Sequence, residues 1–266
     1  MSAVLLSELH LYPIKSCGGV SVRSAALDRF GLVGDRRWML VDERNVALTQ
    51  RESNTMALIH TEVISGGLRI SLEGEALEVA IPLFPNATGT EVTVWGDKVQ
   101  ALDGGEEAAR WLSERLSRQC RIVFMPDDSR RLVDKNFAKT GETVSFADGY
   151  PLLLISQASL DDLNGRLETP VPMNRFRPNL VVSGCAPFEE DRWKRIRIGD
   201  VEFDLPKPCA RCVMPSIDQR TGMRDRAINR VLASYRRREG TIYFGQNLLY
   251  REMGILNISA PVKVIE

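Results

Sequence analysis

Along much of the chain apolar residues recur at every second position in short runs, the period that puts one face of a strand into a core and leaves the other wet. Residues 4–11 alternate partly, and the Tyr12-Pro13 step ends the run. Arg37-Trp38-Met39-Leu40-Val41 precedes the polar turn Asp42-Glu43-Arg44-Asn45. Residues 58–64 and 68–72 flank Gly66-Gly67 and predict a hairpin, because paired glycines supply the positive φ angles of a tight turn. Val92 and Val94 alternate with threonines before Trp95-Gly96-Asp97, and a further strand is expected after that turn. Ile196, Ile198, Val201, Phe203 and Leu205 flank Gly199-Asp200 in the same manner, and this second hairpin runs straight into two cysteines.

Three segments carry a period nearer 3.6. Residues 106–116 place Ala108, Trp111, Leu112 and Leu116 on one face behind Asp103-Gly104-Gly105. Ser156 is positioned to cap a helix whose Leu160, Leu163 and Leu167 form a stripe, with Asp161 and Asp162 near the positive end of its dipole. A third helix is predicted over 225–238, with Ile228, Val231, Leu232 and Tyr235 on one side, Gly240 as a stop, and Arg236-Arg237-Arg238 as a solvated end. Residues 126–144 hold few core residues and are expected to form a long connection. Strands predominate and helices do not alternate with them strictly, which predicts an α+β, strand-rich protein with a barrel-like core.

Length and charge narrow what such a fold can do. The 266 residues suffice to bury a substantial core as one large domain or two smaller ones. Lys plus Arg and Asp plus Glu both number 35, so no global field favours nucleic acid or an anionic membrane. The apolar run Pro151-Leu152-Leu153-Leu154-Ile155 is far too short to cross a bilayer, and the N-terminus lacks a basic region and is broken by Glu8. Five cysteines, Cys17, Cys120, Cys185, Cys209 and Cys212, form an odd, scattered set suited to a reducing compartment, and a cytoplasmic location is expected. Cys120 and Cys185 lie beside predicted strands and are expected to pack as small apolar residues.

The chemistry concentrates at Lys207-Pro208-Cys209-Ala210-Arg211-Cys212, where two thiols sit among cations that favour thiolate. A single Cys-x-x-Cys cannot complete a structural zinc site, and the only histidines are His10 and His60. The cluster is an inert pair, a dithiol couple, or a thiolate given to a metal whose other ligands come from a cofactor. A dithiol catalyst is expected to open a helix. Here Pro208 and Pro215 bracket the pair and Val213-Met214 reads as extended. Lys15-Ser16-Cys17-Gly18-Gly19 is either a loop offering N–H groups and a lysine to a phosphate or an ordinary glycine turn. Gly34-Asp35-Arg36-Arg37-Trp38 and Arg175-Phe176-Arg177-Pro178-Asn179 carry guanidinium groups suited to anions or to bracing loops.

Taken in order, these clusters, with Tyr12-Pro13-Ile14-Lys15-Ser16-Cys17, Ser145-Phe146-Ala147-Asp148-Gly149-Tyr150-Pro151 and Phe244-Gly245-Gln246-Asn247, resemble the MOSC family over nearly the whole chain. The resemblance is to members with an N-terminal MOSC-associated β-barrel domain, including reductases of N-hydroxylated bases and the mitochondrial amidoxime-reducing component. It implies a β domain over 1–120 and a MOSC β-barrel with peripheral helices over 121–266. It also implies molybdenum cofactor, a pyranopterin dithiolene whose molybdenum takes one cysteine. By motif position that ligand, and the catalytic residue, is Cys212, with Cys209 a neighbour. Lys15, Ser16 and Arg36 match positions that hold the pterin and its phosphate, Arg177 matches a contact from the other side, Asp148, Gly149, Tyr150 and Asn247 close the pocket, and Asn179 is a further cofactor-binding position.

The reaction so implied is a two-electron reduction of N–OH to N–H with release of water, on hydroxylamines, amidoximes or N-hydroxylated purines. No cysteine follows Cys212, so the electrons are expected from a separate ferredoxin, flavoprotein or cytochrome, with no nucleic-acid or membrane partner. Asp218 is a candidate proton relay, although a surface turn is the favoured role. Ala210 stands where relatives commonly have serine, and Asn247 where some have tyrosine. The alternatives are a non-catalytic molybdenum-cofactor or sulfur carrier and, ranked lower, a cofactor-free dithiol oxidoreductase.

Overall fold

The computed structural model describes residues 3–83, 87–133 and 142–266. Its largest sheet has nine strands. Val262–Val264, Arg195–Ile198, Val201–Ala210, Thr241–Tyr250, Leu152–Ser156, Leu180–Ser183, Leu5–Leu11 and Val20–Val22 follow one another across it, and Arg237–Arg238 pairs off Thr241–Tyr250. The alternating positions of these strands meet in one core, where Leu6, Leu9, Leu154, Leu180, Phe203 and Leu248 are almost wholly buried. Leu152–Ser156 and Leu180–Ser183 run parallel, and a parallel pair needs a crossover. Helix α2 (Gln157–Asn164) lies in that crossover. Ser156 caps it as predicted, its hydroxyl accepting from Ser159 N at 3.1 Å. Leu160 and Leu163 are buried against the sheet, whereas Leu167 lies beyond the helix end.

The second sheet runs Trp38–Val41, Arg121–Phe124, Asp97–Asp103, Gly89–Val94. Helix α1 (Glu106–Leu116), with the bounds its periodicity predicts, buries Ala108, Leu112 and Leu116 in a core shared with Ile14, Trp38 and Ile122. Beside it stands the meander His60–Ile64, Gly67–Leu72, Glu75–Ala80. Ile64 pairs with Gly67, so the turn is Ser65-Gly66 and only Gly66 has a positive φ, 75°. Gly67 serves packing instead, because a Cβ there would meet Val79 O at 2.4 Å.

The two sheets exchange chain. Leu5–Leu11 pairs with Leu180–Ser183 in the large sheet, and Arg121–Phe124 lies between strands of the small one. The loop after Leu5–Leu11 reaches the small sheet, where Ile14 bridges Trp38 and Lys15 N bonds Trp38 O at 2.8 Å, and it carries Lys15 and Ser16 to the candidate site.

Helix α3 (Ala227–Tyr235) is shorter than predicted at both ends. Arg237–Arg238 forms a short strand, and Arg236 is buried, its Nη2 2.6 Å from Asp191 Oδ2. The expectation of a solvated arginine run holds for Arg237 and Arg238 and fails for Arg236, which the half-buried Asp191 carboxylate compensates. Within the expected connection over 126–144, residues 134–141 lie outside the described residues. The rest is tied down, with Val133 N bonded to Glu142 O at 3.0 Å and Arg131 buried. No helix among the described residues is long and apolar enough to cross a membrane.

Candidate active site

The strand Val201–Ala210 ends one residue short of Arg211, whose N–H reaches Ile242 O at 2.7 Å. Val213 is helical, with φ −74° and ψ −9°, and it opens the tight turn Met214–Ser216 rather than the extended stretch expected. That turn points Met214 N at Cys212 Sγ, 3.5 Å away, while Arg51 Nη2 approaches the same sulfur at 3.2 Å. Cys209, still on the strand, donates its thiol to Ala210 O at 3.7 Å. Burial pushes the Cys209 thiol up. Both thiols are free. The pair closes a strand instead of opening a helix, so it lacks the geometry of a thioredoxin-like couple.

The turn after Cys212 is braced from below. Arg175 donates to Pro215 O at 2.9 Å and Ser216 O at 3.0 Å and pairs with Asp218 Oδ2 at 3.0 Å. Asp218 also accepts from Arg220 N and Thr221 N, the favoured surface turn.

The facing wall comes from the loop after Leu5–Leu11. Lys15 is almost wholly buried, and its ammonium donates to Phe146 O at 2.7 Å and Asp148 Oδ1 at 2.6 Å. Burial pulls Lys15 down to about 8 despite the neighbouring Asp148 carboxylate. Ser16, Arg36 and Arg177 have φ of 64°, 48° and 54°, a left-handed backbone uncommon outside glycine. Three such residues on one cavity indicate a locally strained site that the surrounding structure enforces. The Arg36 and Arg177 guanidinium groups lie over the Tyr12 ring at 4.6 and 4.2 Å. Burial pulls Arg177 down to about 10.

Asn179 accepts from Arg36 Nη1 at 3.0 Å and Leu153 N at 3.3 Å and donates to His10 O at 3.2 Å. Its amide is spent on placing Arg36. Asn247 donates to Lys207 O and Pro208 O at 3.3 and 3.4 Å, tying its strand to the one that carries Cys209.

Lys15, Ser16, Arg36, Asp148, Gly149, Tyr150, Arg177, Asn179, Asn247 and Cys212, all named from the sequence, line one open cavity of about 130 Å³. Of the two readings of Lys15-Ser16-Cys17-Gly18-Gly19, the backbone favours the glycine turn. The Cys17 and Gly18 N–H groups do not face a phosphate, because they bond Ile14 O and Ile59 O at 3.2 and 2.9 Å. Gly18 and Gly19 are required for close approach, since a Cβ would meet Ile59 O at 2.7 Å or the Tyr12 ring at 2.5 Å. Cys17 itself is core, and burial pushes its thiol up to about 12. Cys120 is buried as expected and Cys185 only partly so.

Several residues of the site were not apparent from the sequence. Arg131 donates from Nη1 to Ser145 O at 2.8 Å and from Nη2 to Asp148 O at 3.2 Å, so it shapes the loop that carries Asp148, Gly149 and Tyr150. Trp95 donates its indole N–H to Asp148 Oδ1 at 3.0 Å. Arg211 bonds Phe244 O and Phe176 O, at 2.8 and 3.1 Å.

The donor set suits a polyanion joined to a soft metal. Lys15, Arg36, Arg175, Arg177 and Arg211 line the cavity, with Asp148 at its rim. Arg177 Nη2 and Arg211 Nη2 are buried without a hydrogen-bond partner among the described residues, a cost that an anionic ligand would remove. Sulfur is the one soft donor type on the lining, and molybdenum cofactor joins a phosphate to a thiophilic metal, so the residues present fit it.

Fold and site together define a strand-built protein with a cationic, sulfur-bearing cavity lined by loops and by strands of the large sheet. The chain belongs to the MOSC family: residues 3–119 match the MOSC N-terminal beta barrel domain and residues 141–263 the MOSC domain. It is 35% identical to mitochondrial amidoxime-reducing component 1 of Mus musculus, over 98% of this chain and 82% of that protein. It is 34% identical to mitochondrial amidoxime reducing component 2 of Bos taurus, over 97% and 82%. To the molybdenum cofactor sulfurase of Oryza sativa subsp. japonica it is 33% identical over 95% of this chain, which spans 33% of the sulfurase.

Proposed function

We propose that the cavity holds molybdenum cofactor with Cys212 as the protein's ligand to the metal, and that the protein reduces N-hydroxylated compounds to amines or amidines. Lys15, Ser16, Arg36 and Arg177 hold the anionic part of the cofactor, Arg131 and Asn179 keep the Asp148 loop and Arg36 in place, and Asn247 closes the side nearest Cys209. When bound, the cofactor supplies the two-electron chemistry that takes N–OH and two protons to N–H and water. The electrons come from a separate redox protein.

The observation that carries this reading is the difference between the two thiols. The Cys212 sulfur accepts N–H donors from Met214 and Arg51 on the cavity wall, opposite a buried cationic set, whereas the Cys209 thiol donates to its own strand. The test is elemental analysis of protein made in a cofactor-competent host, followed by assay with reduced viologen and an N-hydroxylated purine. Molybdenum with turnover supports the reductase. Molybdenum without turnover of hydroxylamine, amidoxime or purine substrates favours a cofactor carrier, and absence of molybdenum overturns both.

A further inference from the structure

We propose that Arg51 is a positioning residue that acts through Cys212, donating a hydrogen bond to the sulfur and thereby raising the reduction potential of the metal held there. The inference rests on the reading of Cys212 as the ligand and goes beyond it by assigning the tuning of that ligand to the opposite sheet's side of the molecule.

Arg51 belongs to no motif and stands 161 positions from Cys212, yet its Nη2 is 3.2 Å from Sγ. Its backbone is pinned on both sides. The preceding Gln50 is fully buried, donates to Ser16 O at 2.7 Å, and exchanges two amide hydrogen bonds with Gln219, each 3.1 Å. The Arg51 carbonyl accepts from Arg224 Nη2. The guanidinium lies 4.5 Å over the Trp95 ring, and Trp95 is held by its bond to Asp148.

Arg51 makes no ion pair with a carboxylate among the described residues, and its Nε is buried without a hydrogen-bond partner. A guanidinium kept only for stability would be expected to pair with an acid. Instead this one is stacked on an aromatic ring and directed at a sulfur. N–H donors to a metal-bound sulfur withdraw electron density from the metal and favour its reduced state, and such supporting partners tune sites whose direct ligands they do not join.

The test uses the full chain from a cofactor-competent host as wild type, Arg51→Met and Arg51→Lys. Molybdenum content, thermal melting and the potential of the metal, from a redox titration followed by electron paramagnetic resonance, are read on each. Arg51→Met is expected to keep its molybdenum and its melting temperature while the equilibrium constant for one-electron reduction falls about tenfold, equivalent to 59 mV. Arg51→Lys, which keeps an N–H donor on a flexible stem, is expected to recover part of that shift. An unchanged potential in a molybdenum-loaded Arg51→Met overturns the proposal. So does loss of metal or fold in both variants, which would make Arg51 structural. Wild-type protein without molybdenum overturns the ligand reading itself and is seen before any variant is compared.

Discussion

Cys209 and Cys212 stand three residues apart in one short motif, yet the fold gives them opposite surroundings. Cys209 is the penultimate residue of a strand, where alternation buries its side chain partly and its thiol donates to a neighbouring carbonyl. Cys212 sits where the chain leaves the sheet and tightens into a turn, so a backbone N–H and a guanidinium both point at its sulfur. The comparison teaches that two thiols in one motif meet different donors according to where the strand ends, and less according to the charges nearby in sequence.

The largest blow to this asymmetry is Cys212→Ala, expected to lower viologen-driven turnover more than roughly 10³-fold, as removal of a reacting group does. A turnover assay on protein that melts like wild type checks it. Arg177→Met acts on the facing wall, removing a buried donor that has no other partner on Nη2. Cofactor retention after gel filtration is expected to fall about 10–100-fold, the range for supporting groups at metal sites.

Gly245→Ala attacks the sheet on the Cys209 side. The residue has φ 80°, and a Cβ would meet Ile155 Cγ1 at 2.6 Å and Leu154 O at 2.7 Å. A loss of about 2–3 kcal/mol in urea unfolding is expected from backbone strain and overpacking.

The pH dependence isolates Lys15. Its folded value of about 8 lies below the ordinary 10.5, so the apoprotein binds fewer protons than the unfolded chain between those limits. The stability contribution of this group therefore rises with pH from about 8 to 10.5, while its anion-holding charge fades around the folded value of about 8. Cofactor uptake by apoprotein is expected to be about tenfold weaker at pH 9 than at pH 7, and Lys15→Met should flatten that profile. The smallest effect belongs to Cys209→Ala, expected to hold turnover within about twofold.

How much of this was legible in the sequence follows from the range over which each feature is determined. The hairpin at Gly199-Asp200 and helix α1 are set by local periodicity and turn chemistry, and their positions agree with the pattern. The motif residues converge on one cavity because most sit at the end of a strand or in a loop, while Asn247 projects from within the strand Thr241–Tyr250. What the pattern did not carry is long-range. Pairing of Leu5–Leu11 with Leu180–Ser183 depends on strands more than 170 residues apart, and the burial of Arg236 depends on Asp191. Arg51, Trp95 and Arg131 are single residues whose functions arise only from partners distant in sequence. The Gly18-Gly19 pair stayed open between two readings because glycine serves both ligand approach and close packing, and only the positions of Ile59 and Tyr12 decide between them.

The central claim is that one sulfur, that of Cys212, joins the protein to molybdenum. X-ray absorption at the molybdenum edge on wild type, Cys209→Ala and Cys212→Ala tests it most directly. The account predicts the wild-type sulfur shell in Cys209→Ala, and in Cys212→Ala either one sulfur neighbour fewer or no metal. A full sulfur shell in Cys212→Ala, with the loss appearing in Cys209→Ala, would contradict it.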